Sequence, residues 1–330
     1  MTSGVPGAFI GALSAAVPGT ISDAVTGATV VCLGDVMVDV VARLPGELHP
    51  GSDRPAPIRA LGGGAAANTA CWLAVTGVET VMAARIGTDP FGHWMAGDLA
   101  AFGVHTALVS DPDRPTGTCI VLVSPDGERT MVPDAGANGA LTPADLSATL
   151  FQPGRHLHLS GYTLLGSARA AGLHALALAR STGMSVSVDA ASVAPLRAAG
   201  PFLEWIGTGL TLLANRDEAA LLADTDDPES AVRQLAERVG VAVVKLGAVG
   251  ALWSDGARVV SRPALTGVEA IDTTGAGDAF AAGYLAGLLA GEAAEHAVDR
   301  GHRLAAQACG LVGGRPPSRI PVEPSETLEP

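Results

Sequence analysis

Between residues 155 and 245 the chain alternates strand-like and helix-like patterns with little in between. Apolar runs at 156–159, 185–188, 211–214 and 241–245 are interleaved with helical patterns at 167–181, 215–222 and 228–239. Few folds accept such a rhythm, because parallel neighbours need a long crossover and a helix is the usual one. The pattern predicts a parallel sheet with helices on both faces. The stretch 28–36 is one continuous apolar run, which reads as a further strand buried on both sides. Beyond 245, residues 251–254 and 258–261 predict a β-ribbon turning at Asp255-Gly256. A small-residue helix (279–290) and a last helix (about 292–311) follow. No internal repeat is visible, and 330 residues with 48% hydrophobic content are enough for one large α/β domain.

Two segments break the rhythm. Residues 40–60 and 106–135 contain short β-like pieces, prolines and charges. Asp126-Gly127 predicts a hairpin between 118–123 and 129–132. Together they predict a small sheet off the main one, a lid, with the strand at 106–109 as part of it. Between these segments a strand at 80–86 and a helix ending near Phe102 are expected, and a helix is expected from Pro143. Residues 1–27, rich in Gly, Ala, Pro, Ser and Thr, predict a disordered extension. A domain over 28–320 and a tail over 321–330 complete the division.

Composition narrows the function. A net charge of −13 with no Lys/Arg run argues against nucleic acid polymers and anionic membranes as partners. Any phosphate must then be held by backbone N–H groups and a few cations or metals. No run of about 18 apolar residues free of Gly and Pro suggests a membrane span. The first positive charge is Arg43, so the N-terminus lacks the basic region of a signal peptide. Cys32, Cys71, Cys119 and Cys309 stand far apart without a CxxC, which suits reduced thiols in a cytoplasmic protein. His93, His156, His158, His174 and His302 show no metal-ligand spacing.

The chemistry concentrates in Ile271-Asp272-Thr273-Thr274-Gly275-Ala276-Gly277-Asp278-Ala279-Phe280. Thr273 and Thr274 are possible caps for the helix that follows. A helix start offers free N–H groups and a positive dipole end to an anion, and Asp278 falls in its first turn. The same residues read either as a general base beside an anion hole or as a capped helix with a dipole-favouring acid. Asp35 and Asp39 follow the first strand, where open α/β sheets bind ligands, though strand-end acids also simply solubilise. Gly62-Gly63-Gly64 opens a helix with Asn68 one turn in. Asn215-x-x-Glu218 is a capping box at a strand end, and Lys245 ends another strand.

With Arg85-Ile86-Gly87-Thr88-Asp89-Pro90-Phe91-Gly92, these segments resemble the ribokinase-like (PfkB) carbohydrate kinases, in order and spacing, from about residue 30 to 318. The resemblance implies a three-layer α/β/α sandwich with a mostly parallel sheet and a β-sheet lid. It implies transfer of the γ-phosphoryl group of ATP to a hydroxymethyl group of a sugar, with ribose or a similar furanose as lead. Asp278 would be the base, and the amides of Gly275, Ala276 and Gly277 the anion hole. Asp39, Gly64, Asn68 and Asp35 would contact the sugar. Asn215 and Glu218 would help hold Mg²⁺ and phosphate through water. Lys245 stands where that family often has Thr or Ser, so its role comes from its strand-end position, which would bring an ammonium near the ATP phosphates or leave a surface Lys; Asp189, which also ends a strand, would face the phosphate side, and Gly247 and Gly250 would shape the adenosine pocket. Asp272, Thr274, Cys309, Val312, Gly314 and Ser318 would ring a K⁺. Asn138 would belong to a hinge near the substrate. The lid sheet would make a homodimer.

A nucleoside kinase, of the pseudouridine or adenosine type, is the alternative. It would need a platform for the base, and Phe91, Trp94, Phe151 and Tyr162 are the candidates. A non-catalytic sugar or nucleotide sensor would be expected to lack the base or the hole, and both are intact. A dinucleotide-dependent oxidoreductase would need G-x-G-x-x-G after the first strand, where Gly34 is followed by Asp-Val-Met-Val-Asp.

Overall fold

A computed structural model of the chain describes residues 30–125 and 128–317. The expected extension over 1–27, the tail over 321–330, the Asp126-Gly127 turn and Ser318 lie outside the described residues. β1 (Val30–Leu33) leads into β2 (Met37–Arg43) and β3 (Ile58–Gly63), and α1 (Ala65–Val75) brings the chain back to β4 (Thr80–Gly87). α2 (Pro90–Ala101) crosses over to β5 (His105–Asp111), and β6 (Gly117–Val123) and β7 (Arg129–Asp134) follow. Then come β8 (His156–Ser160), α3 (Tyr162–Leu165), α4 (Arg169–Ser181), β9 (Ser185–Asp189), α5 (Val193–Ala199), α6 (Phe202–Ile206) and β10 (Leu210–Asn215). The chain closes with α7 (Arg216–Ala223), α8 (Pro228–Val239), β11 (Gly240–Lys245), β12 (Ala251–Ser254), β13 (Val259–Arg262), α9 (Ala276–Leu289) and α10 (Ala294–Cys309).

One sheet has nine strands in the order β13-β12-β11-β10-β9-β8-β1-β4-β5, parallel except for β12 and β13. It is buried on both faces, which is why its strands read as continuous apolar runs. In β1, Val31 and Leu33 face the core under α4 to α8, while Val30 and Cys32 face the core under α1, α2, α9 and α10. The expected three-layer α/β/α sandwich is therefore present.

The second sheet has the order β3-β2-β6-β7. β2 and β6 run parallel, and the outer pairs are antiparallel. The strand expected in this lid at 106–109 belongs elsewhere. It is β5, parallel to β4 at the edge of the large sheet. The physical reason is the α2 crossover, which returns the chain beside the strand it left. The helix expected from Pro143 is also absent. Pro143–Asp145 and Ala148–Leu150 are single 3₁₀ turns, the first under a Thr142/Asp145 capping box. α5 and α6 had no signature, being only seven and five residues long.

This arrangement brings the carboxyl ends of the parallel strands to one edge. β-register sets Lys245 beside Asn215, and Asp189 beside both Ser160 and Leu213. β2 leaves β1 at the same edge, so the lid starts where the strands end.

Candidate active site

The site forms where the starts of two helices meet the strand ends. α9 begins at Gly275, whose φ of +73° and close approach to Gly314 leave no room for a side chain: a Cβ there would stand 2.4 Å from Gly314 Cα. Thr273 and Thr274 do not cap this helix; their hydroxyls bond elsewhere, as shown below. Helical conformation starts at Ala276, three residues before the expected position, so Asp278 lies in the first turn. The Ala276 N–H reaches back to the Thr273 carbonyl at 3.3 Å, a long bond that an arriving anion can displace. The first turn leaves its other N–H groups without carbonyl partners inside the helix.

α1 begins at Gly64, which sits at φ +94° with the Asp35 carbonyl 2.4 Å from where a Cβ would be. Asp35 Oδ2 accepts the Ala65 N–H at 2.8 Å, so this acid caps the helix. One turn on, Asn68 Nδ2 donates to Asp278 Oδ2 at 2.8 Å across the α1/α9 contact. Asp35 Oδ1 and Asn68 Oδ1 are buried acceptors with no protein partner. Two such orphans are costly unless a ligand donates to them, and sugar hydroxyls are suitable donors. Asp39, on β2, lies over Gly63, its carboxylate oxygens 2.4 Å from that residue's missing Cβ.

Charge in the site is unevenly matched. Lys245 Nζ bridges both Asp189 oxygens at 2.9 and 3.2 Å. It also stands 3.4 Å from where a Gly277 Cβ would be, so the ammonium lies against the first turn of α9. Burial pushes the Asp278 carboxyl up to about 7, against the Asn68 hydrogen bond and the Lys245 charge, with Asp189 and Asp35 adding to the rise. Burial also lifts Glu218 to about 7 despite Lys245, and Asp39 to about 6 despite Arg315. Burial alone would discharge Lys245, but Asp189, Glu218 and Asp278 outweigh it and hold its affinity for the proton above the ordinary value.

Asn215 and Glu218 form a reciprocal cap at the start of α7. Glu218 N–H donates to Asn215 Oδ1 at 2.9 Å, and Asn215 donates from its backbone N–H (2.8 Å) and Nδ2 (2.6 Å) to the two Glu218 oxygens. After Lys245, Gly247 (φ +62°) faces open space, with no atom within 4 Å of a side-chain position, whereas Gly250 is pressed on the Arg262 carbonyl. Gly247 can leave room for a ligand, and Gly250 serves the chain's own packing.

Part of the expected K⁺ ring already bonds the protein's own groups. Asp272 Oδ1 accepts the Thr274 N–H (2.9 Å), the Thr274 hydroxyl (2.7 Å) and Arg129 Nη1 (3.1 Å), and Oδ2 accepts the Gly313 N–H (3.0 Å). The Cys309 carbonyl takes two N–H groups, from Ile271 and Asp272. The Gly314 carbonyl takes the Trp72 indole N–H at 2.9 Å. Val312 is 44% exposed. A guanidinium already on Asp272 and a Cys309 carbonyl that already takes two N–H groups disfavour a cation here.

Three further residues matter to the site. Arg129, at the start of β7, reaches from the lid to the loop before α9. Arg315 is buried beside Gly62, bonds the Gly63 carbonyl (3.0 Å) and pairs with Asp98, and its charge acts on Asp39. Asn138, expected at a hinge, holds both the N–H (3.0 Å) and the carbonyl (2.9 Å) of Val36, where the lid leaves β1. Of the four aromatic candidates, Phe151 is core, and Phe91 and Trp94 pair with each other on α2. Tyr162 is 42% exposed and feels the charges of Asp35, Glu218 and Asp278. His156 and His158 are fully buried and bonded to Ser185 and Ser187, a structural role.

Known proteins resemble this chain in sequence and fold. The family model described as pfkB family carbohydrate kinase matches residues 28–321. An ATP-dependent ribose-1-phosphate kinase of Halopiger xanaduensis is 31% identical over 295 residues, 87% of this chain and 93% of that protein. The crystal structure of adenosine kinase from Sinorhizobium meliloti superposes with a TM-score of 0.79 at 27% identity, covering 88% of this chain and 96% of that one. Fructokinase from Vibrio cholerae, solved with fructose, ADP and a calcium ion, gives 0.72 at 26% identity, with 88% and 95% covered. The chain belongs to the pfkB family of carbohydrate kinases, phosphotransferases that act on sugar hydroxyl groups.

Proposed function

We propose that the chain transfers the γ-phosphoryl group of ATP to a hydroxymethyl group of a sugar, with ribose or a similar furanose as the lead acceptor. The observation that carries this reading is Asp278. It is a half-buried carboxyl whose desolvation raises its pKa to about 7, bonded to Asn68 on the α1 side, with the Lys245 ammonium and the first-turn amides of α9 on the other. A base must be close to ionisation at working pH, and Asp278 is. Asp35, Asp39 and Asn68 supply acceptors for the remaining hydroxyls. As the acceptor hydroxyl gives its proton to Asp278, its oxygen attacks the γ-phosphorus in line while the bond from that phosphorus to the β,γ-bridging oxygen breaks and ADP leaves. The amides of Gly275, Ala276 and Gly277 and the Lys245 ammonium take the growing charge.

When bound, Mg²⁺ neutralises phosphate charge. Glu218 and Asn215 would hold it through water, since each Glu218 oxygen already accepts one bond from Asn215 and keeps a free lone pair. The four cysteines are free thiols, in keeping with a cytoplasmic enzyme. The outer lid face carries Ala60, Val40, Ile120 and Val132 in one cross-strand row, with Ile120 and Val132 at 48% and 56% exposed. Such an apolar face suits a second copy of the lid, hence a homodimer. Tyr162 favours a second reading, a nucleoside kinase in which its ring faces the base.

The test is ADP release over ribose, deoxyribose, fructose, 2-keto-3-deoxygluconate, ribose 1-phosphate, adenosine, inosine and pseudouridine. With the acceptor found, Asp278→Asn should lower kcat by about 10²-fold or more. Because the raised carboxyl must be ionised, wild-type kcat/KM should fall about tenfold per pH unit below about 7. Full rate in Asp278→Asn at saturating ATP and acceptor would sink the assignment.

A further inference from the structure

The loop that precedes α9 is held by a cation, and the cation comes from the lid. Arg129 is the first residue of β7, and its side chain is 23% exposed. Its Nη1 donates to Asp272 Oδ1 at 3.1 Å and also to the Thr274 hydroxyl, while Nη2 donates to the Thr273 hydroxyl. These three partners are consecutive, and they end one residue before the Gly275 N-cap. Asp272 is thus both neutralised and locked: the Thr274 and Gly313 N–H groups fix its two oxygens, and the guanidinium supplies the opposite charge. The carboxyl is 15% exposed, so this pairing is little screened.

We propose that Arg129 is the resident cation of the phosphate-binding loop, and that the enzyme therefore requires no monovalent metal ion. The guanidinium stands where the resemblance implied K⁺, and the Asp272 carboxylate and the Cys309 carbonyl of that ring are already engaged by the protein's own N–H groups. A planar fork with several N–H groups also does more than a point charge, since one side chain orients Thr273, Thr274 and Asp272 together. Because Arg129 rides on the lid, the loop reaches this state when the lid lies against the body. Lid position and the shape of the anion hole are then one equilibrium, and Arg129 is a positioning residue that acts through Asp272. The inference rests on the phosphoryl-transfer reading for its consequence in turnover, but not for its test.

The test uses the full chain in potassium chloride and in tetramethylammonium chloride at equal ionic strength. Thermal midpoint and ADP affinity by calorimetry are read for wild type, Arg129→Gln and Arg129→Lys. Neither readout needs an acceptor, so failure to find a phosphorylated sugar is a separate result. Wild type should give the same midpoint and the same Kd in both salts. Arg129→Gln should bind ADP about tenfold more weakly in tetramethylammonium, the size expected for losing charge-assisted bonds to the loop. Arg129→Lys should recover part of that loss. A wild-type midpoint or ADP affinity that rises in potassium overturns the proposal, as does an Arg129→Gln variant with wild-type affinity in tetramethylammonium. Were Arg129→Gln not to fold, the wild-type comparison and Arg129→Lys would still decide it.

Discussion

Lys245 is where structure and chemistry can be separated by experiment. Its ammonium pairs with both oxygens of Asp189, and the two side chains are 14% and 20% exposed. Removing one partner of a buried ion pair costs about 3–5 kcal/mol, because the other charge is stranded. With this much exposure the lower end applies, so Lys245→Met should cost about 3 kcal/mol in urea unfolding. Removing both charges should be far milder. Lys245→Met/Asp189→Asn should recover to within about 1 kcal/mol of wild type, since no charge is left unpaired. Catalysis should not recover with it. The ammonium also lies against the first turn of α9, where the γ-phosphoryl charge would develop, and one lost stabiliser of this kind costs about 10²-fold in kcat. A further sign follows from Asp278. Lys245 holds its pKa down, so Lys245→Met should shift the acid limb of kcat/KM to a pH above about 7, whereas the double variant, which also loses the Asp189 charge that raises it, should not. The assay is coupled ADP release at saturating ATP and acceptor, run alongside urea melts. If the double variant regained stability and kcat together, Lys245 would be a counter-ion for Asp189 and nothing more. If Lys245→Met cost under about 1 kcal/mol, the argument from burial would itself be wrong.

Two other outcomes follow from the same charges. Burial holds Asp39 near pKa 6 against the pull of Arg315, so its carboxylate is lost as pH falls through about 6, and acceptor KM should rise there; Arg315→Met, which removes that pull, should move the rise to higher pH, and a KM profile unchanged by the substitution would remove Arg315 from the sugar end. If the proposed homodimer forms through the outer lid face, Ile120→Asp should give a monomer by light scattering after size exclusion, and a wild-type protein that elutes as a monomer would refute the lid-to-lid interface.

The parts that could be read from sequence are those whose signal is local. β1 was legible because a strand buried on both faces must be apolar throughout, and α9 because its glycines and Asp278 lie within ten residues. β5 was misplaced because His-Thr-Ala-Leu-Val-Ser-Asp alternates much as a lid strand does; only the crossover through α2 fixes its neighbour. Pro143 sits at a sound N-terminal signal, but Leu146 and Leu150 turn into the core at once, so no helix is sustained. Thr273 and Thr274 looked like caps because capping is judged along the chain, whereas their partner lies 144 and 145 residues away. Arg129 and Arg315 left no pattern for the same reason, their partners lying 143 and 217 positions off, and for Asp189 the strand end was legible but its partner, 56 positions away, was not.

Those long-range pairs explain how so acidic a chain can handle a polyanion. Asp35, Asp39, Asp189, Glu218 and Asp278 crowd one edge of the sheet, and burial holds three of them near pKa 6 or 7. A cluster of lysines would neutralise these acids and quench the base along with them. Instead, three cations are brought in singly, each from a different element. Lys245 comes from a strand end to the phosphate side, Arg129 from the lid to the loop, and Arg315 from the C-terminal segment to the sugar side. Asp278 then keeps a pKa set by burial and one amide bond, within reach of one ammonium but not paired to it. A base made this way works only while Lys245 is held by Asp189. If Asp189→Asn released the ammonium to pair with Asp278, the base would be quenched, and the acid limb would move below about 7 rather than above it. The two single variants of the pair should therefore shift the same limb in opposite directions, which a purely structural salt bridge would not do.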